Sequence, residues 1–146
     1  MSGVKLTDIV EKMNLKNLTP EVDITEREVL VPDVNRPALQ LAGFFDHFDL
    51  NRVQIIGNVE CAYLETLEEE KRVEIYQKLL EHKVPCIIFS NELQPDESFI
   101  EIAQKNDIPV FGTCKKTSSF MGELIRWLNV KLAPCISIHG VLVLSL

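Results

Sequence analysis

Cys86-Ile87-Ile88-Phe89 is a run of four apolar residues without a polar member, closed by Pro85 on one side and by Ser90-Asn91 on the other. A strand with one wet face alternates polar and apolar residues. A strand that does not alternate is covered on both faces, as in a parallel sheet between two layers of helices. The neighbouring stretches agree. Arg52-Val53-Gln54-Ile55-Ile56-Gly57 opens with polar and β-branched residues in alternation and reads as a second strand. Glu28-Val29-Leu30-Val31 reads as a short strand stopped by Pro32, and Ile108–Phe111 as a further one. Helical patterns separate these strands, and the connections are too long for hairpins. The pattern predicts an α/β fold with parallel pairing in part of the sheet. Right-handed crossovers put helices on both faces, giving a three-layer α/β/α architecture with a mixed, partly parallel sheet.

The helices read from their spacing. Leu6, Ile9, Val10 and Met13 predict a helix over residues 5–13, ended by Asn14. Residues 14–26 read as a polar connection with a turn at Thr19-Pro20. A short helix is expected around Cys61–Leu64. Thr66-Leu67-Glu68-Glu69 fits a capping box, with Thr66 as cap and Glu69 three residues on. Its helix runs to about Lys83, with Val73, Tyr76 and Leu80 inward. Pro95 opens another helix with Phe99, Ile102 and Ala103 inward and Asn106 as its cap. Met121, Leu124, Ile125, Leu128 and Leu132 trace one more helical face. Residues 135–146 read as one long strand bent at Gly140. An apolar strand of that kind is either buried by a partner or continued by further chain, because an open edge invites pairing.

Asn35-Arg36-Pro37 predicts a helix starting at Pro37, where a missing N–H costs nothing. It is expected to run to about Phe48. Leu41, Phe44, Phe45 and Phe48 then form one buried face. Arg36, Gln40, Gly43 and His47 form a second stripe, which is either a solvated back or an interaction surface against something polar.

Length and charge limit the function. A chain of 146 residues reads as one domain. A net charge of −7 argues against a nucleic-acid or anionic-membrane binder, which needs clustered Lys and Arg. Cys61, Cys86, Cys114 and Cys135 form no C-x-x-C motif, and no signal peptide precedes them. A reducing cytoplasm is therefore expected. The longest uncharged apolar run is too short for a membrane span.

Little in the sequence carries chemistry. His47, His82 and His139 have no metal-ligand spacing. His139 lies in the terminal apolar run just before Gly140 and is either a ligand-binding or catalytic imidazole or a histidine at a strand end. In the loop 112–119, Lys115, Lys116, Thr117 and Ser118 precede a helix. They form either an anion-binding loop or a plain helix cap. Gly-x-x-x-x-Gly-Lys-Ser/Thr, Gly-x-Gly-x-x-Gly and Gly-x-Ser-x-Gly are all absent. A receiver domain is excluded because the central strand ends Phe89-Ser90-Asn91, where a phosphorylatable aspartate is needed. The acidic run Glu65–Glu74 reads as a solvated helix face.

Several stretches taken together resemble one family. These are Asn35-Arg36-Pro37-x-Leu39-Gln40-Leu41-Ala42-Gly43-Phe44-Phe45, Arg52-Val53-Gln54-Ile55-Ile56-Gly57, Tyr63-Leu64, Pro85-Cys86-Ile87-Ile88, Leu132-Ala133-Pro134 and Ile138-His139-Gly140-Val141-Leu142-Val143. In order and spacing they are similar to the N-terminal half of bacterial HPr kinase/phosphorylase, although Ala38 stands where that family usually has glycine. The resemblance implies a cytoplasmic enzyme of two domains, hexameric, using ATP and magnesium. Such an enzyme phosphorylates a serine of HPr, the phosphocarrier of the sugar phosphotransferase system, and removes that phosphate in carbon catabolite repression. It implies an N-terminal α/β domain over residues 1–132, followed at 133–146 by the first strand of the kinase core. It also gives His139 a catalytic role beside the active site, once the core is present.

The family continues past this motif into an Asp-Val-Tyr-Gly segment and then the phosphate-binding loop, whereas Val143 here is followed by Leu144-Ser145-Leu146. The expectation is a regulatory or assembly domain, inactive alone and with no cofactor of its own. Its partners would be the kinase core and other subunits, and neither nucleic acid nor membrane. The family's N-terminal domain is also similar to the substrate-binding domain of some cell-wall ligases, which suggests small-molecule (anion or metabolite) sensing as the alternative, with loop 112–119 as the natural place for its pocket.

Overall fold

The computed structural model describes residues 3–133, 135–138 and 141–144. Its centre is a five-stranded sheet. The strands are β2 (Lys16–Asn17), β4 (Val34–Asn35), β5 (Val53–Ile56), β6 (Ile87–Phe89) and β7 (Val110–Gly112). Their spatial order is β2-β7-β6-β5-β4. β4 to β7 are mutually parallel, and β2 closes the sheet antiparallel to β7. β1 (Val4–Lys5) and β3 (Glu28–Val29) make a small antiparallel pair. This is the three-layer α/β architecture with a mixed, mostly parallel sheet that the strand pattern predicts.

Residues alternate across each strand and so feed two separate cores. On one face Val53, Ile55, Ile88 and Phe111 meet α1 (Leu6–Met13) and α6 (Thr117–Leu132), through Leu6, Ile9, Met13, Phe120, Leu124 and Leu128. On the other, Ile56, Ile87, Phe89 and Val110 are covered by α2 (Ala38–Leu41), α3 (Asn58–Glu65), α4 (Glu69–Leu80) and α5 (Glu97–Lys105). Every connection from β4 to β7 therefore packs on the face opposite α1, and the chain returns to the α1 face only after β7. β6 is buried at all three positions, as its unbroken apolar run requires.

Several expectations need correction. The helix from Pro37 stops at Leu41, not at Phe48. Gly43 takes φ +100°, and the Gly43 and Phe44 amides donate to the Gln40 and Leu39 carbonyls at 3.0 and 2.9 Å. These two bonds close a left-handed helix terminus that glycine favours. Phe45 and Phe48 still reach the core, but from a turn. Phe45 stacks on His82 with centroids 4.5 Å apart, and Phe48 meets both rings edge-on. Phe44, read as buried, is exposed.

The cap of α4 is Glu68, not Thr66. Thr66 is already the C-cap of α3, and its hydroxyl donates to the Tyr63 carbonyl at 2.6 Å. α4 ends at Leu80, short of Lys83. The connection 14–26 contains β2, a strand too short and polar to show in the pattern. It is held by Leu18 N–H to the Val110 carbonyl and by the buried Thr19 hydroxyl, which accepts the Val110 amide at 2.9 Å. The terminal segment is two strands, not one: β8 (Cys135–Ile138) and β9 (Val141–Leu144) pair antiparallel. His139 and Gly140 lie outside the described residues.

Candidate functional site

Parallel strands deliver their carboxyl ends to one edge, the usual place for a site in an open α/β sheet. Here that edge collects Arg36 after β4, Gly57 after β5, Ser90 and Asn91 after β6, and Thr113 after β7, with Thr117 at the start of α6. Thr117 Oγ1 lies 2.6 Å from Ser90 Oγ and accepts from Asn91 Nδ2 at 3.0 Å. The Asn91 and Glu92 amides donate to the Lys115 and Thr113 carbonyls, so the β6–α5 loop is tied to the β7–α6 loop. Both residues take positive φ, 56° and 57°, to do so. Asn tolerates that region better than Glu.

Next to this lies a half-buried ion pair. Glu60, 2% exposed, is the third residue of α3, and its Oε1 accepts the Gly57 amide at 2.6 Å. The same oxygen accepts Arg36 Nη2 and Nε at 2.7 and 3.1 Å. Gly57 is glycine because the space above it is taken. An added Cβ would fall 2.7 Å from Thr117 Oγ1 and 2.9 Å from Arg36 Nη2. Behind Arg36, Asn35 Nδ2 donates to Gln54 Oε1 at 2.7 Å and Gln40 Oε1 at 3.2 Å, and Gln40 Nε2 donates to the Phe44 carbonyl. Among the described residues no buried side-chain polar atom is left without a partner. The edge is a closed polar lattice joining five segments, without an assembled acid, base and nucleophile.

The residues singled out in sequence scatter. Arg36 and Gln40 belong to this lattice, Gln40 buried within it. Gly43 is a helix terminator, and His47 stands exposed on a turn at φ 63°. The four therefore form no helical stripe. Lys115 is committed to Glu123 at 2.6 Å, and that contact holds the Glu123 carboxyl below its ordinary range. Lys116 is the N-cap of α6, Thr117 faces the lattice, and Ser118 is exposed. Among the described residues no group of His, Cys, Asp and Glu is placed to hold a metal. His139 lies outside them.

Sequence reasoning missed Glu60, Ser90 and Asn91. The signal was present: Gly57 and Ser90-Asn91 each follow a strand directly, at the edge where α/β sheets build sites. It also missed a cavity of about 190 Å³ between α3, α4 and α5. There Tyr76 donates to Asp96 Oδ2 at 2.6 Å and Arg72 Nε to the same oxygen at 3.1 Å. Burial and the Asp96 carboxylate push the Tyr76 phenol well up. Cys61, on the same wall, is pushed up to about 11, mainly by burial and further by Glu60, Glu65 and Asp96.

The comparisons with known proteins converge on one family. Residues 4–128 match the family described as HPr Serine kinase N terminus. The HPr kinase/phosphorylase of Lachnoclostridium phytofermentans is 57% identical over 98% of this chain and 46% of its own length. That of Caldicellulosiruptor bescii is 42% identical over 92% and 43%. That of Listeria welshimeri is 34% identical over 97% and 45%. The chain thus spans about half the length of the curated relatives it matches. Among solved structures, one containing the CBS and DRTGG domains of the regulatory region of a Clostridium perfringens pyrophosphatase, complexed with diadenosine tetraphosphate, superposes with a TM-score of 0.60. It is 22% identical and covers 86% of this chain and 47% of that one, a likeness of fold. With the family match running from β1 into α6, this chain belongs to the HPr serine kinase N-terminal family.

Proposed function

We propose that this domain is a regulatory and assembly module of a cytoplasmic HPr kinase/phosphorylase acting on HPr in carbon catabolite repression. Alone it transfers no phosphate. The observation that carries this reading is the carboxyl edge of the sheet, where an α/β enzyme would keep its machinery. Here that edge is filled by the protein's own bonds among Arg36, Glu60, Ser90, Asn91 and Thr117. Phosphoryl transfer needs a phosphate cradle, a metal site and a base for the serine proton, and the 146 residues hold no Gly-x-x-x-x-Gly-Lys-Ser/Thr loop. ATP and magnesium then belong to the kinase core, with residues 1–132 as the domain, 133–146 as the start of that core, and His139 acting only in its presence. Hexamer contacts with other subunits are part of the same proposal.

The test is phosphorylation of purified HPr with ATP and magnesium, first with this chain alone and then with the separate kinase core added. Silence alone, with a changed rate or changed oligomer of the core on addition, supports the proposal. Phosphorylation by the chain alone would overturn it. Gln40 is buried, so assembly is better probed at its exposed neighbours, Leu39 and Phe44, 61% and 48% exposed. Leu39→Asp is expected to weaken association with the core in sedimentation while leaving the chain folded.

A second reading, small-molecule sensing, is favoured by the cavity between α3, α4 and α5.

A further inference from the structure

We propose that the face formed by α1 and α6 docks an acidic segment of a protein partner, with Trp127 as its anchor, a role beyond the one proposed above. The sheet separates the charges of this chain. α1, α6 and the residues adjoining them, 5–16 and 115–131, hold seven of the fifteen Lys and Arg and only three of the twenty-two Asp and Glu. That layer carries a net charge of +4, and the rest of the chain −11. The Glu123 carboxyl registers the excess: the hydrogen bond from Lys115 holds it low, and Lys12 of α1 and Arg126 of α6 add to that.

On this face lies a groove of about 700 Å³, lined among others by Val4, Lys5, Lys12, Trp127 and Lys131. Trp127 presents a ring face there, since Lys131 Nζ stands over the indole, 5.8 Å from its centroid. Val130, 59% exposed, lies one turn along α6 from Trp127. Among the described residues, Lys5, Lys12 and Lys131 take part in no salt bridge. Asp8 and Glu11 share the rim with them. The groove therefore offers three ammonium groups spaced by two carboxylates, around an indole.

Charge complementarity names the occupant. A positive face on an otherwise acidic body attracts an anionic partner and orients its approach. A nucleic acid or an anionic bilayer presents charge continuously and meets Asp8, Glu11 and the acidic remainder as well. A peptide with a few separated carboxylates reaches Lys5, Lys12 and Lys131 and avoids both. Tryptophan is enriched among the residues that carry interface energy once they are covered. An apolar side chain set between the partner's carboxylates covers Trp127. The groove falls within the roughly 300–1,000 Å³ of ligand sites, room for several side chains.

Trp127 is the one tryptophan of the chain, so its fluorescence reads the groove directly. The experiment titrates the chain at neutral pH with the end-blocked peptide Glu-Leu-Glu-Glu-Leu-Glu, with its Gln-for-Glu and Lys-for-Glu versions, and with a short oligothymidylate. The acidic peptide is expected to give a saturable change that weakens several-fold as salt rises from about 50 to about 500 mM. The Gln peptide is expected to bind about tenfold less tightly, and the Lys peptide not at all. Lys131→Glu is expected to weaken the acidic peptide about tenfold, whereas Lys78→Glu, on the opposite layer in α4, leaves it unchanged. Both side chains are exposed; should Lys131→Glu fail to fold, Lys5→Glu takes its place. Equal losses in the Lys131 and Lys78 variants, a Gln peptide as tight as the acidic one, oligothymidylate bound as tightly as the peptide, or no saturation at about 5 mM, the range of weak binding, would each overturn the proposal. No kinase core enters this measurement, so its failure leaves the assembly role standing.

Discussion

Arg36 and Gly57 share one acceptor: Glu60 Oε1 sits 2.7 Å from the guanidinium Nη2 and 2.6 Å from the backbone amide. A single carboxylate oxygen thus fixes the end of β4, the end of β5 and the first turn of α3. Replacing it by Ala removes the acceptor for a buried amide and leaves a guanidinium without its counter-charge. Glu60→Ala is expected to destabilise the domain by about 2 kcal/mol. The value is kept below that of a fully buried pair because Arg36 is 32% exposed. Glu60→Gln retains an acceptor oxygen and is expected to cost about half as much. Urea denaturation of both variants checks this, and equal losses would mean that the shared oxygen does not matter.

Gly57→Ala places a methyl 2.7 Å from Thr117 Oγ1 and 2.9 Å from Arg36 Nη2, so one or both side chains must shift. Overpacking of this kind costs about 1–3 kcal/mol. Because the clash is with a particular side chain, Thr117→Ala should relieve part of it. The double variant is expected to be more stable than the sum of the single losses by at least about 0.5 kcal/mol. Strict additivity in denaturant midpoints would point to a backbone effect instead.

Gly43 is a different kind of glycine. A Cβ there meets nothing within 4 Å, but φ is +100°. Gly43→Ala is therefore expected to cost about 1 kcal/mol through backbone conformation alone. In a domain of this size that is a fall of about 3 °C in Tm. Calorimetry reads it directly, and an unchanged Tm would show that the α2 terminus is not held in the left-handed region.

Two thiols give the domain an alkaline limit. Burial pushes Cys86 up to about 12 and Cys61 up to about 11, against 9.0 for a free thiol. The unfolded chain releases these protons at lower pH than the folded chain does. Stability is therefore complete below about pH 9 and falls as pH rises toward 12. Cys86→Ala is expected to start lower, because of the small void, and to lose less between pH 8 and pH 10.5. An identical pH slope in the variant would exclude this thiol as the cause.

The parts of the fold legible in sequence were those with a long period or an unbroken run. Cys86–Phe89 announced a strand covered on both sides, and Leu124 and Leu128 announced the inner face of α6. What escaped was set by single residues acting locally or by distant partners. Gly43 reads as a small residue on a stripe until its φ is seen. Thr66 looks like the start of α4 although its hydroxyl closes α3. Lys16-Asn17 becomes a strand only because β7 lies beside it. The site suffered most from this. Glu60 is an ordinary helix acid in sequence, and its importance comes from Arg36, twenty-four positions earlier, arriving at the same edge.

The pairing of β2 with β7, and of α1 with α6, also bears on how the chain acquires its structure at synthesis. Lys16 and Asn17 are made early, yet their strand partners are Gly112 and Phe111. Leu6, Ile9 and Met13 of α1 share their core with Phe120, Leu124 and Leu128. Helix α1 thus has no complete surface to lie on until α6, more than a hundred residues later, has emerged. Such non-local contacts slow folding and expose apolar surface in the interval. A nascent chain halted before α6 would carry α1 as an amphipathic segment in search of a cover, which makes residues 117–132 the step that commits the whole domain.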